Sequence, residues 1–391
     1  MSGKKKITLV QYVASSPQIP HARIYRYLEI IRRCSREGWR TYLVLSEMPN
    51  SLEISRPFLD AGCRILTQRR PAGNLDLRTA LDIYRLLRDL RCDVFHCHNI
   101  HTVPLAAAAL ARVPVRIWSV LAMSPYYEQG TRPRGIHRLA LSTRLSTFCA
   151  HRILAISTAV STELLQNGAP VRKTAVLPAP VDLARFRRAS GDGARQEFGF
   201  TEDQVLVIAV GHAVPVKGWD VLIKAFACAV SRCPHARLLL VGSHSDKHEA
   251  STYNDLQSLA RGLSCAHLIR FAGARFDIPR LLAASDIFVM PSRSEGLGMA
   301  LVEALAAGLP CVAARVGGIP DILVHGRNGL LFERENVGAL AEQLVHLAAD
   351  TNLRRQLAEA APGSVQGFGL EPHADNMMAI YTEALQEACV T

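Results

Sequence analysis

The chain carries ten cysteines, at 34, 63, 92, 97, 149, 228, 233, 265, 311 and 389, but no C-x-x-C pair among them. Without a paired framework they read as reduced, mostly buried thiols, which argues against a disulfide-stapled secreted scaffold. No run approaches the ~18 apolar residues of a membrane span. The apolar stretch ITLVQYVA behind MSGKKK is short and reads as a first strand rather than a signal peptide. Internal repeats and low-complexity tracts are absent, and Gly and Pro are spread along the chain rather than clustered. Aromatic residues make up only 6%, with none of the basic–aromatic interleaving that stacks bases, so the excess of positive charge is not read as a nucleic-acid site. A dinucleotide fingerprint is lacking too: Gly296-x-Gly298 is followed by Leu301 where the third glycine would stand, which sets a dehydrogenase aside. The expectation is a cytoplasmic protein, peripheral at most on the inner face of the cytoplasmic membrane.

What is present is 391 residues with 49% hydrophobic and 20% charged side chains, enough for two domains with separate cores. Acidic residues are scarce in one half. Residues 1–190 hold 29 Lys/Arg against 12 Asp/Glu, whereas residues 191–391 hold 16 against 22. A basic half implies an anionic partner, such as a phospholipid surface or a phosphate-bearing acceptor, the plain alternative being a solvated basic face. Within it, Arg132–Arg152 mixes basic and apolar residues at roughly helical spacing, which suits either an anionic leaflet or an ordinary packed helix.

The recurring pattern is a strand followed by a helix. ITLVQYV, RTYLVLS, DVFHCHN and VRIWSV alternate with helices over Arg23–Arg36, Asp76–Leu90 and Val103–Ala111. The second half repeats the style with VLVIAVG, a helix Val221–Val230, RLLLVGS, HLIRFAG, IFVMPS, PCVAA and GLLF. Such βαβ alternation predicts α/β architecture with parallel sheets covered on both faces. The aperiodic stretch near 182–200 marks a boundary, giving domains over 1–185 and 186–370. A closing helix over 371–391 would pack on one domain or the other.

Ile287–Leu330 is the most informative segment. A short apolar strand, Ile287–Met290, opens into the loop Pro291–Gly298, and a helix Met299–Ala307 follows, stopped by Gly308 and Pro310. Ligands bind in loops at the carboxyl ends of strands in open parallel sheets. Gly296 and Gly298 let backbone N–H groups and the positive helix end approach an anion. Glu295 and Glu303 bracket the turn; in a continuous helix eight residues span ~12 Å, so they read as separate anchors rather than an acid/base couple.

These residues resemble the retaining glycosyltransferases of family 4, or group 1 glycosyltransferases. The resemblance rests on Glu295 and Glu303 as the E-x7-E motif, on the surrounding PSRSEGLGMALVEALAAGLP, on VGGIPDIL and GRNGLLF after it, and on AVGHAVPVKGWDVLIKAF before it. It implies the GT-B fold, two doubly wound Rossmann-like domains with an interdomain cleft. It also implies a nucleotide-sugar donor in the second domain, no cofactor and no metal. Glu303 would hold the ribose hydroxyls, Lys217 behind the turn at Gly211 would neutralise the diphosphate, and Glu295 would hold the donor sugar beside the backbone of Gly296, Leu297 and Gly298. Base selection would fall to loop residues around Phe271–Ile278.

The chain departs from the family's pattern in places. His212 follows the turn glycine where the family usually has Arg, giving a pH-dependent contact, and Arg275 is a candidate substitute. Ser119 or Val120 stands about where the family often has His. His98 and His101 are further candidates for acceptor or cleft contacts, and with His96 they also form a cluster to be weighed as metal ligands. The expected function is transfer of a sugar to a saccharide or lipid-linked acceptor in envelope polysaccharide, lipopolysaccharide or glycolipid synthesis, with an anionic membrane surface as partner. A non-catalytic nucleotide-sugar-binding or scaffold protein is the alternative.

Overall fold

A computed structural model describes residues 6–13, 26–73, 75–98, 102–123, 138–242 and 247–390. These form two compact units: the described residues up to Pro180 together with those from Leu370 onward, and Val181–Gly369. Val181 pairs with Gly369 in an isolated bridge, and its N–H donates to the Phe368 carbonyl at 2.8 Å. That pairing draws the segment behind Pro180 into the second unit.

The first unit holds one parallel sheet of seven strands: β1 Thr8–Val13, β2 Arg40–Leu45, β3 Arg64–Thr67, β4 Val94–His98, β5 Val115–Val120, β6 Arg152–Ala155 and β7 Thr174–Val176. Their order is β3-β2-β1-β4-β5-β6-β7. β1 and β4 are buried along their whole length, as expected of continuous apolar runs covered on both faces. Helix Leu28–Arg36 turns Leu28, Ile30, Ile31 and Cys34 inward. Helix Leu77–Asp89 starts at Asp76, whose carboxylate accepts from the Thr79 N–H.

The second unit has β8 Val205–Val210, β9 Ala236–Val241, β10 Ile269–Gly273, β11 Ile287–Met290, β12 Cys311–Ala314 and β13 Leu330–Phe332, in the order β10-β9-β8-β11-β12-β13. Both sheets therefore reverse direction of growth once, between β1 and β4 and between β8 and β11. Such a switch point opens a crevice beyond the strand ends.

Every strand expected from an apolar run is present within two residues at either end. Of the helix expected over Arg23–Arg36, the described residues show Leu28–Arg36. The helix Leu52–Asp60 and strands β3, β6 and β7 lie outside those expectations. The helix contains Pro57, and β3 is a four-residue strand whose side chains are only partly covered, so neither carries a strong period.

The closing helix, Leu370–Val390, belongs to the first unit. Ala374, Met377, Tyr381 and Ala384 recur at helical spacing and are buried in that unit's core with Leu28, Ile31 and Leu43. Arg33 pairs with Asp375 at 2.7 Å and Arg152 with Glu387 at 2.5 Å. Among the described residues no helix is long and apolar enough to cross a membrane.

Candidate donor site

The site is built at the switch point of the second sheet. β8 ends in the loop Gly211–Gly218 and β11 in the loop Pro291–Gly298, and the two loops are packed on each other. Gly218, with φ +65°, has the Pro291 carbonyl only 2.1 Å from where a Cβ would lie. The Arg293 N–H donates to the Val216 carbonyl at 2.7 Å. The Arg293 guanidinium lies across this junction: it donates to the Pro215 carbonyl at 2.5 Å, to both Asp220 oxygens at 2.9 Å, and to Glu335. Hydrogen bonding to Asp220 keeps Arg293 charged, its pKa moving up. Burial pushes Asp220 upward, but the same guanidinium outweighs it and the pKa falls.

Across that junction Lys217 meets Glu295. The ammonium donates to Glu295 Oε1 at 2.5 Å, and the Ser292 hydroxyl donates to the same oxygen at 2.9 Å. Lys217 is 25% exposed and Glu295 10%, so the pair is largely shielded from water. Gly211 borders it, since a Cβ there would lie 3.6 Å from the Lys217 methylene stem. On the other side Gly317, at φ +51°, leaves no room for a side chain because the Glu295 carbonyl would be 1.8 Å away. The Gly318 N–H donates to that carbonyl at 3.1 Å.

Gly298 (φ +100°) begins the helix Met299–Ala306 and no side chain caps it, so the first-turn N–H groups are those a bound anion would use. Leu297 is buried beneath the loop. Glu303 is half-buried on the same helix, five residues past Gly298. The helix closes on a Schellman turn: Gly308, at φ +80°, donates to the Leu305 carbonyl and Leu309 to that of Ala304, both at 3.0 Å.

His212 is exposed in the β8 turn, its carbonyl accepting from the Val214 N–H at 2.9 Å. Arg275 is engaged elsewhere. It follows β10, at the far edge of the sheet, and donates to both Asp277 oxygens at 2.8–2.9 Å and to Glu197 at 2.6 Å. These carboxylates, Asp277 first, raise its pKa.

The first-unit candidates are interior residues. Ser119 Oγ lies 2.7 Å from His96 Nε2, His96 Nδ1 lies 2.7 Å from the Tyr381 hydroxyl, Gln11 Nε2 donates to that hydroxyl at 2.8 Å, and Gln11 Oε1 lies 2.6 Å from His98 Nε2. Gln11 Oε1 can only accept, so His98 Nε2 donates to it, and Gln11 Nε2 donates to Tyr381; His96 bridges the Tyr381 and Ser119 hydroxyls through its two ring nitrogens. Burial holds His96 at about 3, with the His373 charge adding to it, and pushes His98 well below its ordinary value. His101 lies outside the described residues. Among the described residues no cluster of His, Cys, Asp or Glu is arranged to hold a metal ion.

Two family matches divide the chain between them. Residues 192–363 match Glycosyl transferases group 1, and residues 26–185 match Glycosyltransferase Family 4. The chain belongs to the group 1 glycosyltransferases. Among curated relatives of this group 1 chain, D-inositol 3-phosphate glycosyltransferase of Actinosynnema mirum is 34% identical over 54% of the chain and 52% of its own length. N-acetyl-alpha-D-glucosaminyl L-malate synthase of Bacillus anthracis is 31% identical over 49% of each. The chain thus spans about half the length of the curated relatives it matches. The crystal structure of Anabaena HepE in complex with UDP superposes with a TM-score of 0.78 at 20% identity, covering 97% of this chain and 100% of that one. The fold is GT-B.

In this group 1 glycosyltransferase, sequence reasoning missed the supports of the site rather than its charged members. Ser292, Arg293 and Asp220 surround Lys217 and Glu295 and lie inside the quoted stretches PSRSEGLGM and VKGWDVL, but no role was assigned to them. VGGIP did carry a signal, since two adjacent glycines next to a motif announce a close backbone approach, and Gly317 is where that approach occurs.

Proposed function

We propose that the chain is a retaining, metal-independent hexosyltransferase that moves a sugar from a nucleotide diphosphate to a saccharide or lipid-linked acceptor in cell-envelope polysaccharide, lipopolysaccharide or glycolipid synthesis. The observation that carries the reading is the Lys217–Glu295 pair, held at a switch point beside an uncapped helix that bears Glu303. A diphosphate set against that helix end takes Lys217 as its counter-charge in place of Glu295. Glu295 is then released to accept from sugar hydroxyls, while the two oxygens of Glu303 accept from the ribose. The complex of HepE with UDP supports a nucleoside diphosphate as the ligand class.

In the reaction the acceptor hydroxyl oxygen bonds to the sugar's anomeric carbon on the face from which the diphosphate departs. The bond from that carbon to the phosphate oxygen breaks with its electron pair on the phosphate, which takes the acceptor's proton. Configuration is retained because attack and departure share one face. Lys217 and the helix N-terminus stabilise the charge growing on the leaving oxygen. The acceptor belongs to the basic first unit, and the names of both curated relatives specify anionic acceptors, a sugar-alcohol phosphate and malate. Proton NMR of the fresh product gives the anomeric configuration against that of the donor, and an inverted product refutes the mechanism.

A non-catalytic scaffold is the second reading, drawn from His212 in place of the usual Arg. Donor turnover that is lost in Lys217→Met removes it.

A further inference from the structure

Helix Arg138–Cys149 of the first unit is inside out. From Leu141 onward its buried face consists of Ser142, Thr143, Ser146, Thr147 and Cys149, whereas Leu141, Arg144, Leu145 and Phe148 face water. Leu141 is 68% exposed and Phe148 81%. Hydroxyls on this face are hydrogen-bonded: Ser146 Oγ donates to Thr102 Oγ1 at 3.2 Å and Thr147 Oγ1 to the Arg144 carbonyl at 2.8 Å, while Thr102 Oγ1 donates to the Ser142 carbonyl at 3.4 Å. The neighbouring helix, Thr102–Leu110, is alanine-rich and buried along most of its length, so small residues on both helices permit close packing. Spacing i, i+4, i+7 makes Leu141, Leu145 and Phe148 one continuous apolar stripe.

The surroundings of the stripe are basic. Arg116 donates to the carbonyls of Cys149 and Val113, both at 2.6 Å, which brings the corner Leu110–Arg112 to the Phe148 end of the helix. Leu110 is 71% exposed there and Arg112 is exposed beside it. Between Asp93 and Glu163 the sequence contains seven arginines and a single acid, Glu128. Arg112 and Arg144 are the exposed cations beside the stripe, and burying it against a protein would call for an acidic surface facing them. A leaflet of anionic lipid offers hydrocarbon and phosphate together, at the depths that phenylalanine, leucine and arginine take up.

The geometry points to helix Arg138–Cys149 as a membrane-docking surface, with Leu141, Leu145 and Phe148 entering the headgroup–acyl boundary of an anionic leaflet and Arg112 and Arg144 meeting lipid phosphates. This deepens, and rests on, the reading of an acceptor presented at a membrane.

The test is co-sedimentation of the full chain with vesicles of phosphatidylcholine, with and without phosphatidylglycerol. The chain should bind only the anionic vesicles. The double variant Leu145→Asp/Phe148→Asp should reduce binding at least about tenfold, and Arg112→Gln/Arg144→Gln by about fivefold for each charge removed. Both variants should keep the parent melting temperature and the parent turnover of donor on a vesicle-free acceptor. Binding that is absent, equal on neutral vesicles, or unchanged in the apolar variant overturns the proposal. So does sedimentation equilibrium showing a dimer that the apolar variant dissociates, since a second copy would then be the occupant. Vesicle binding without any turnover would instead refute the catalytic reading and leave the docking surface standing.

Discussion

Replacing Gly218 by alanine should disable the site from beneath, without touching any group that meets a ligand. At φ +65° an alanine pays about 1–2 kcal/mol in left-handed strain. Its Cβ would also lie 2.1 Å from the Pro291 carbonyl, where separations under 3.0 Å are essentially never seen. The turn bearing Lys217 and the loop bearing Glu295 must therefore part by about 1 Å, a misplacement that costs on the order of a hundredfold in rate. Gly326→Ala isolates the strain, because Gly326 has φ +76° and nothing within 4 Å of its missing Cβ. Both variants should lose about 1–2 kcal/mol in denaturant titrations, Gly218→Ala somewhat more. Only Gly218→Ala should lose donor kcat/KM. Equal activity in the two variants, or full activity in Gly218→Ala, would refute the claim that contact between the loops sets the position of Lys217 against Glu295.

Arg293→Ala should raise KM for the donor, because the clamp on Pro215, Asp220 and Glu335 is gone; Arg293→Lys should restore little of it, since a point charge cannot bind both Asp220 oxygens in parallel. Acid should weaken the first unit before carboxylates titrate. The folded pKa of His96 is about 3, and those of His151 and His373 about 4, against an unfolded value near 6.5. The unfolded chain therefore binds more protons below that value, and stability is lost as pH falls from about 6.5 toward 4. His96→Asn should make this decline shallower in urea titrations at pH 7 and 5, and an unchanged slope would count against the buried neutral ring. In the proposed scheme Lys217 and a helix end supply the positive charge at the diphosphate, so an excess of EDTA should leave turnover unchanged; a loss restored by a divalent ion would require a metal in the scheme.

Much of this was legible from local pattern. Runs such as VLVIAV and IFVM are short, continuously apolar and bounded by glycine or polar residues, and each became a strand within a residue or two of its expected ends. E-x7-E marked both carboxylates because the turn, the glycines and the helix start are consecutive in sequence. What periodicity could not carry was contact across distance. Lys217 and Glu295 are 78 residues apart, and their pairing depends on β8 and β11 being neighbours with both loops on one end. Tyr381 reaches Gln11 across 370 residues, and nothing in HADNMMAIYTEALQEA states which core its apolar face will join. Arg132–Arg152 was legible as helical but not in its orientation: helix Arg138–Cys149 has hydroxyls inside and leucines outside, against the rule by which helices are oriented.

Calorimetric titration of the purified chain with UDP, GDP and ADP and their sugar conjugates tests the donor site most directly, with Glu303→Ala and Lys217→Met as partners. The account predicts saturable binding of one nucleotide series, weakened about a hundredfold in Glu303→Ala by loss of two charge-assisted hydrogen bonds. Lys217→Met should weaken the diphosphates and leave the corresponding nucleoside nearly unaffected. Binding of equal strength in the parent and both variants would place the nucleotide elsewhere and contradict the assignment.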